Sequence, residues 1–276
     1  MPLPPMKKRM IRYKKEKTEN RHTIRLLISL ARNDLRARYS SSVLGALWAF
    51  VMPLVTILVF WYVFQLGFKN LPVGDAPYIL WFSTAYIPWV FFSDAVSSGS
   101  SSLLEYSYLV KKIRFDVRII PAIKVISALF VHLFFVAFLF AMAFLYRYPL
   151  GRSAFQVLYY MACAGLHALA LSYLLSAFTV FFKDTSSILS VILQVGFWAT
   201  PILWNEEQMV NGSVQKILRL NPMHYVIQGY RDSLLFGKSL SARGGEGLYF
   251  WVVTLVLLLA GFIVFKRLSP FFADEV

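Results

Sequence analysis

The stretch Asp232–Leu240 reads DSLLFGKSL and closes on Gly-Lys-Ser, the triplet that ends a phosphate-cradling P-loop. A P-loop needs G-x-x-x-x-G-K-[ST] between a strand and a helix, because glycines let backbone N–H groups wrap the phosphates. Here Asp232 stands at the first glycine position, and Leu234, Leu235 and Phe236 fill the loop. Bulky apolar side chains and a carboxylate both oppose phosphate, so the triplet reads as chance. Other residues able to do chemistry are few. The one cysteine, Cys163, sits in an apolar run, and the four histidines are scattered. No disulfide framework and no metal site are expected. His132 and His167 could form a proton relay, although a hydrogen-bonded contact between helices is the commoner use. Asp94 and Lys124 fall near the ends of apolar runs, where Lys124 can snorkel. Ion-coupled transporters bury carboxylates at mid-membrane, and these runs hold almost none. With no carboxylate pair and no nucleophile–base pair in view, the chain does not read as an enzyme.

These residues are set in a chain built for a membrane. Of 276 residues, 58% are hydrophobic and 15% charged, against roughly 25% charged in soluble domains. Six apolar runs approach or exceed the roughly 20 helical residues that cross hydrocarbon: Val43–Phe64, Tyr78–Ser97, Ile119–Tyr146, Ala154–Phe182, Ser187–Trp204 and Leu248–Phe265. The third and fourth are long enough to tilt or project. Pro201 should kink or end the fifth. The expected fold is therefore an all-α membrane protein, with residues 1–42 as a cytoplasmic tail and interfacial helix and residues 43–276 as a six-helix transmembrane domain.

Net charge is +14, and twelve Lys/Arg precede Val43. Nucleic-acid binding is the rival reading of that cluster, but an apolar majority without a soluble core favours the positive-inside rule. The first 42 residues lack a continuous apolar stretch, so no cleavable signal peptide is expected. With the N-terminus inside, the inner segments also carry Lys111, Lys112, Arg114, Arg118, Lys124, Lys183, Lys266 and Arg267. The outer segments keep Lys69, Arg147, Arg152, Lys216, Arg219, Arg231, Lys238 and Arg243. Both termini are thus expected on the cytoplasmic side of the membrane.

Three segments are distinctive. In His22–Tyr39, Ile24, Leu27, Ile28, Ala31 and Leu35 recur at helical spacing, with Arg25, Ser29, Arg32 and Arg36 on the other face. Such a helix lies in the interface with its arginines near lipid phosphates. It is either a plain anchor or a gate that meets an anionic head group. Ser102–Pro121 mixes Leu109, Val110, Ile113 and Phe115 with Lys111, Lys112 and Arg114. It is either a solvated basic loop or an apolar knob with a basic rim, suited to a groove on a soluble partner. Asn205–Gly247 holds short amphipathic patterns around Tyr225, Ile227, Tyr230 and Leu234. These would dip into the outer leaflet as a re-entrant pair or cap the bundle. The spans also carry many rings, which can stack on sugar C–H faces or simply populate interfacial belts and lipid-facing surface.

Five motifs in order resemble the permease subunits of ABC polysaccharide exporters: RYSSSVLGALWAFVMPL (Arg38–Leu54), YIPWVFFSDAV (Tyr86–Val96), LVKKIRFDVRIIP (Leu109–Pro121), FFKDTSSIL with FWATPILW (Phe181–Trp204), and LNPMHYVIQGYRDSLL (Leu220–Leu235). Phe182–Asp184 reads FKD where many relatives have Phe-Arg-Asp, which keeps the charge pattern. The group includes exporters of O-antigen, capsule and wall teichoic acid. The resemblance implies a homodimer in the cytoplasmic membrane, bound to two copies of a separate ABC ATPase. The chain would hold no cofactor of its own, with ATP and Mg on that partner. The cargo would be a glycan on undecaprenyl diphosphate. By the same resemblance, Tyr106, Leu109, Val110, Lys111, Lys112, Ile113, Arg114 and Phe115 would couple to the ATPase. Arg25, Arg32, Arg36, Arg38 and Tyr39 would meet the lipid diphosphate at the gate. Trp48, Phe60, Trp61, Trp89, Phe92, Phe197, Trp198 and Trp204 would line the glycan path, and Pro222, Tyr225, Tyr230 and Arg231 would shape the exit. The alternatives are an ABC permease for a smaller lipid or drug, an ion-coupled flippase or channel, and a non-transport scaffold.

Overall fold

A computed structural model describes residues 25–40, 42–67, 76–112, 116–206 and 212–276. The described chain is helical throughout its elements. Residues 25–38 form α1, which turns at 39–47 into α2 (Trp48–Phe60). Pro53 withdraws one N–H from the ladder of α2, and a π-helical turn, Trp61–Gly67, follows it. Then come α3 (Tyr78–Ser100), the short α4 (Ser102–Glu105) and α5 (Ser107–Val110), α6 (Ile119–Leu145) and α7 (Val157–Phe181). The chain continues through α8 (Thr185–Ala199), α9 (Gly212–Leu218), α10 (Pro222–Leu234), α11 (Gly244–Leu268) and α12 (Phe272–Glu275).

Among the described residues, five helical stretches are long and apolar enough to cross a membrane: Gly45–Gln65, Tyr78–Ser100, Ile119–Leu145, Arg152–Phe181 and Leu240–Glu275. The expected fifth run is shorter than its apolar sequence. Helix α8 stops at Ala199, two residues before Pro201, because the residue before a proline is pushed out of the α region. Its 15 residues reach roughly 22 Å at about 1.5 Å per residue, short of about 30 Å of hydrocarbon. Beyond it the non-helical Pro201–Trp204 is tied into the bundle: the Tyr78 hydroxyl and the Arg231 guanidinium, at the start of α3 and on α10, bond the carbonyls of Leu203 and Ile202.

Helix α3 is the axis of the bundle. It is buried along most of its length and packs against α6, α7, α8 and α10, and its buried Thr84 and Ser100 hydroxyls donate to the Trp81 and Ser97 carbonyls of the same helix. Helix α11 lies along α7. At one end, here called the base, a small cluster of Leu103, Val110, Ile120, Ala177, Phe265 and Phe272 joins α4 and α5 to the ends of α6, α7 and α11. At the far end α10 is wedged into the bundle. Asn221 caps it by accepting the Met223 N–H at 3.0 Å, and Pro222 occupies its first turn. Every residue from Met223 to Leu234 is buried. The segment expected to dip or cap is thus packed into the bundle along its length.

Candidate functional site

The base carries a linked set of charges that joins α1 to three other elements. Asp34 lies on the buried stripe of α1, 3% exposed, one turn before Arg38. Its carboxylate accepts from Lys124 Nζ on α6 at 2.6 Å and from the Tyr106 hydroxyl, between α4 and α5, at 2.8 Å. Lys124 also pairs with Glu105 of α4 and stands 5.0 Å over the Tyr106 ring. Arg38 holds both oxygens of Asp94 on α3, at 2.8 and 3.0 Å, and approaches Asp34 at 3.3 Å. Burial alone would push the Asp34 carboxyl up, but Lys124 and the Tyr106 hydrogen bond hold it below the usual range. Burial works against the Arg38 cation too, and Asp94 with Asp34 outweighs it. Burial, and then the neighbouring Asp34, raise the Tyr106 phenol. A buried ion pair is tolerated only when its remaining lone pairs and protons are met, and here one acid has three donors.

Lys124 therefore does not snorkel. It is 3% exposed, because Asp34 and Glu105 reach it from two elements. Asp34 and Glu105 were not singled out from the sequence. An acid on the apolar stripe of an amphipathic helix, four residues before an arginine, was the available signal.

The arginines of α1 divide. Arg25, Arg32 and Arg36 line an open basin of about 400 Å³ with Ser29 and Asn33, and among the described residues no carboxylate pairs with them. Arg32 also lies 5.9 Å over the Phe130 ring. Arg38 is committed to Asp94 and Asp34 instead. Tyr39 and Trp48 line a separate cavity of about 160 Å³ under the α1–α2 turn, with Tyr86, Phe91 and His132.

In the segment expected to couple to a partner, Lys111 and Lys112 are exposed, Leu109 is half-buried and Tyr106 faces Asp34. Val110 turns inward. It is 7% exposed and packs into the basal cluster, because the one-turn helix α5 must anchor one face inward. Tyr108, 60% exposed, is presented outward instead. Ile113, Arg114 and Phe115 lie outside the described residues.

The rings are only partly gathered. Phe60, Phe82, Tyr86, Trp89 and Phe197 form one contiguous set, with centroids 5.1–6.5 Å apart. Phe92, a turn beyond Trp89, continues that set: its ring stands 5.8 Å from Trp89 and 5.7 Å from the His167 ring of α7. Trp61 lies in the π turn, Trp198 packs edge-on to Phe197, and Trp204 donates to the Trp198 carbonyl. Phe82 and Tyr86 are rings of the second apolar run, and which rings of that run gather with Phe60 and Phe197 is decided by packing, because burial on α3 is not visible in a uniformly apolar sequence. The two histidines inside the bundle both meet hydroxyls, His132 with Tyr230 at 2.8 Å and His167 with Thr254 at 2.9 Å.

At the far end Arg231 is fully buried, 3.6 Å over the Trp81 ring, with one nitrogen donating to Ile202 O at 3.1 Å. Tyr225 meets the Tyr159 hydroxyl, and Pro222 starts α10. Lys238 of the Gly-Lys-Ser triplet pairs with Asp232 at 3.5 Å, after a helix where a P-loop would have a strand. His224 stands between two acids, with Nε2 at 2.8 Å from Glu206 and Nδ1 at 3.7 Å from Glu246, a distance for charge attraction only. Arg243 and Arg219 also reach Glu246. Burial pulls the imidazolium down, but Glu206 and Glu246 carry it above the ordinary 6.5. Burial raises the Glu206 carboxyl, and His224, Arg219 and Arg243 bring it below the ordinary 4.5. The His224 contribution is complete below 6.5 and lost as pH rises through the raised value. That of Glu206 is present above 4.5 and lost as pH falls through the lowered value. Thermal melts of the detergent-purified protein should show stability falling as pH rises past about 6.5, and His224→Gln should flatten that limb. An unchanged limb would remove the role of His224.

Residues 25–235 match the family described as ABC-2 type transporter. Among characterised proteins, the chain is 29% identical over 255 residues to the O-antigen export system permease protein RfbA of Myxococcus xanthus, covering 91% of this chain and 95% of that protein. Two O-antigen export system permease proteins RfbA of Klebsiella pneumoniae are similar at 26% over 259 residues and 25% over 250. Each match covers 90% of this chain and 94% of the relative.

Proposed function

The chain belongs to the ABC-2 type transporter family, a multi-pass membrane protein by its helices, and from that premise we propose that it is the permease subunit of an exporter for a lipid-linked cell-surface polysaccharide. ATP would be hydrolysed, with Mg, on a separate ABC subunit present in two copies, and two copies of this chain would form the path. The base would face the cytoplasm, with both termini there. The lipid carrier would be a prenyl diphosphate of the undecaprenyl type. O-antigen, capsule and teichoic acid remain the candidate polymers, and the relatives named for O-antigen export favour the first.

One observation carries this reading. The charged set at the base ties the segment that would meet the ATPase, through Tyr106 and Glu105, to the helix that presents Arg25, Arg32 and Arg36. A push on α4–α5 is transmitted to α1 through Asp34 and Lys124 rather than through lipid. Three cations on an open basin suit a diphosphate, whose lost hydration they replace. Arg38 is the strut that fixes α1 to α3.

Ion coupling fits less well, since among the described residues the buried acids Asp34, Asp232 and Glu206 lie at the two ends of the bundle.

Charge reversal tests the basin. Arg32→Glu with Arg36→Glu should lower export in cells by about tenfold or more, as expected for losing two charge-assisted contacts. Co-purification with the ATPase should be unchanged. Undiminished export would sink the diphosphate role. Loss of co-purification would place these arginines at the partner interface instead.

A further inference from the structure

Between α3 and α8 lies an open groove of about 330 Å³. The rings of Trp89 and Phe197, with centroids 6.3 Å apart, form its apolar part. Ser93 and Ser97 from α3 and Ser190 and Gln194 from α8 supply its polar part, and no lining residue is charged. The indole is held in place. A Cβ on Gly196 would stand 2.9 Å from the far edge of the Trp89 ring, so only glycine lets α8 close on it.

The groove must face something polar. Ser190 and Gln194 are exposed on an apolar helix that packs against α3 and α7. The Ser190 hydroxyl bonds back to Ser186 O at 2.9 Å. Among the described residues, the Gln194 amide and the Ser93 and Ser97 hydroxyls meet no hydrogen-bonding partner. An unsatisfied amide against hydrocarbon costs several kcal/mol by the order of magnitude for such groups. Nor is this the lipid face of α8. Ile188, Val191, Ile192 and Val195 form an exposed apolar stripe that helical geometry puts opposite Ser186, Ser190 and Gln194.

We propose that this groove is a subsite for an uncharged sugar unit of the moving polymer, and that it disfavours units bearing phosphate or carboxylate. The inference rests on the exporter reading above and narrows its substrate class. A ring face accepts the C–H face of a pyranose. Hydroxyls and a carboxamide both donate and accept, as sugar hydroxyls do. An anionic unit would shed water here and find no cation in return.

The test uses the permease with its ATPase in proteoliposomes, with ATP hydrolysis measured in the same vesicles. The probes are two synthetic prenyl-diphosphate-linked hexasaccharides, one neutral and one carrying a phosphomonoester on each sugar. The neutral probe should move at least about tenfold faster, the difference expected from one unreplaced solvation contact. Gln194→Ala with Ser190→Ala should slow the neutral probe by a similar factor, and Gln194→Arg should shrink the preference below about threefold. Both positions are exposed, so folding is not at stake. Equal transport of both probes by the unmodified and Gln194→Arg proteins overturns the groove and leaves the exporter reading standing. Movement of neither probe while ATP is hydrolysed overturns the exporter reading itself.

Discussion

Replacing Lys124 by methionine is expected to destabilise the folded protein by about 3–5 kcal/mol, the cost of leaving a buried charge without its partner. Asp34 and Lys124 are each 3% exposed and 2.6 Å apart. Once Lys124 is gone, Asp34 keeps the Tyr106 hydroxyl and a longer contact to Arg38, which places the loss near the lower end. Asp34 contributes stability above its ordinary value near 3.8, lost as pH falls through its lowered folded value. Without Lys124 that loss should begin at higher pH. Thermal unfolding in detergent from about pH 7 down to about pH 3, a window that spans the ordinary carboxylate values near 4, reads both effects. The double variant Asp34→Leu/Lys124→Met removes both charges and should recover most of the stability, since apolar replacement of a buried pair is often neutral. Export should stay low in the double variant, because the link from α4 and α6 to α1 is cut while the fold stands. Full export by a stable double variant would show that this link transmits nothing.

The second large effect is expected at Gly229 on α10. A Cβ there would lie 2.1–2.4 Å from three carbons of the Tyr160 ring. The ring has no room to swing: it is 1% exposed and packed edge-on against Tyr225 at 5.2 Å. Gly229→Ala should therefore push α10 off α7 and cost about 1–3 kcal/mol, the usual range for overpacking a core. Tyr160→Leu alone should also destabilise, by opening a cavity. The two together should cost clearly less than the sum of the single losses, because the smaller side chain admits the new methyl. Thermal unfolding of the four proteins closes the cycle. Simple additivity would mean that the helices do not meet where the ring and the glycine stand.

Several features were legible locally. The 3.6-residue period of α1, the proline that ends α8, the Asn-Pro start of α10 and the apolar runs of α2, α3, α6, α7 and α11 are all written in neighbours a few residues apart. The broken P-loop was legible for the same reason, since its failure lies in Asp232 and Phe236 themselves. Less could be read of the site. Val110 and Tyr108 are two residues apart on a one-turn helix, and only packing on Phe265 and Phe272 decides which of them faces inward. Phe92 and Trp89 touch within the same run, yet the first also meets His167 on α7 and the second lines the groove with α8.

The sequence by itself determined a helical membrane chain, its basic end and its family resemblance, because composition and short periods are properties of the local chain. Tertiary structure alone decided which charges are spent on one another. Asp34 meets Lys124 across 90 residues and Arg38 meets Asp94 across 56. No local period encodes such distances; burial of the helices against one another brings those groups together and makes an unpaired charge there costly. The same packing left Arg25, Arg32 and Arg36 open to an anion and committed Arg38 to the frame.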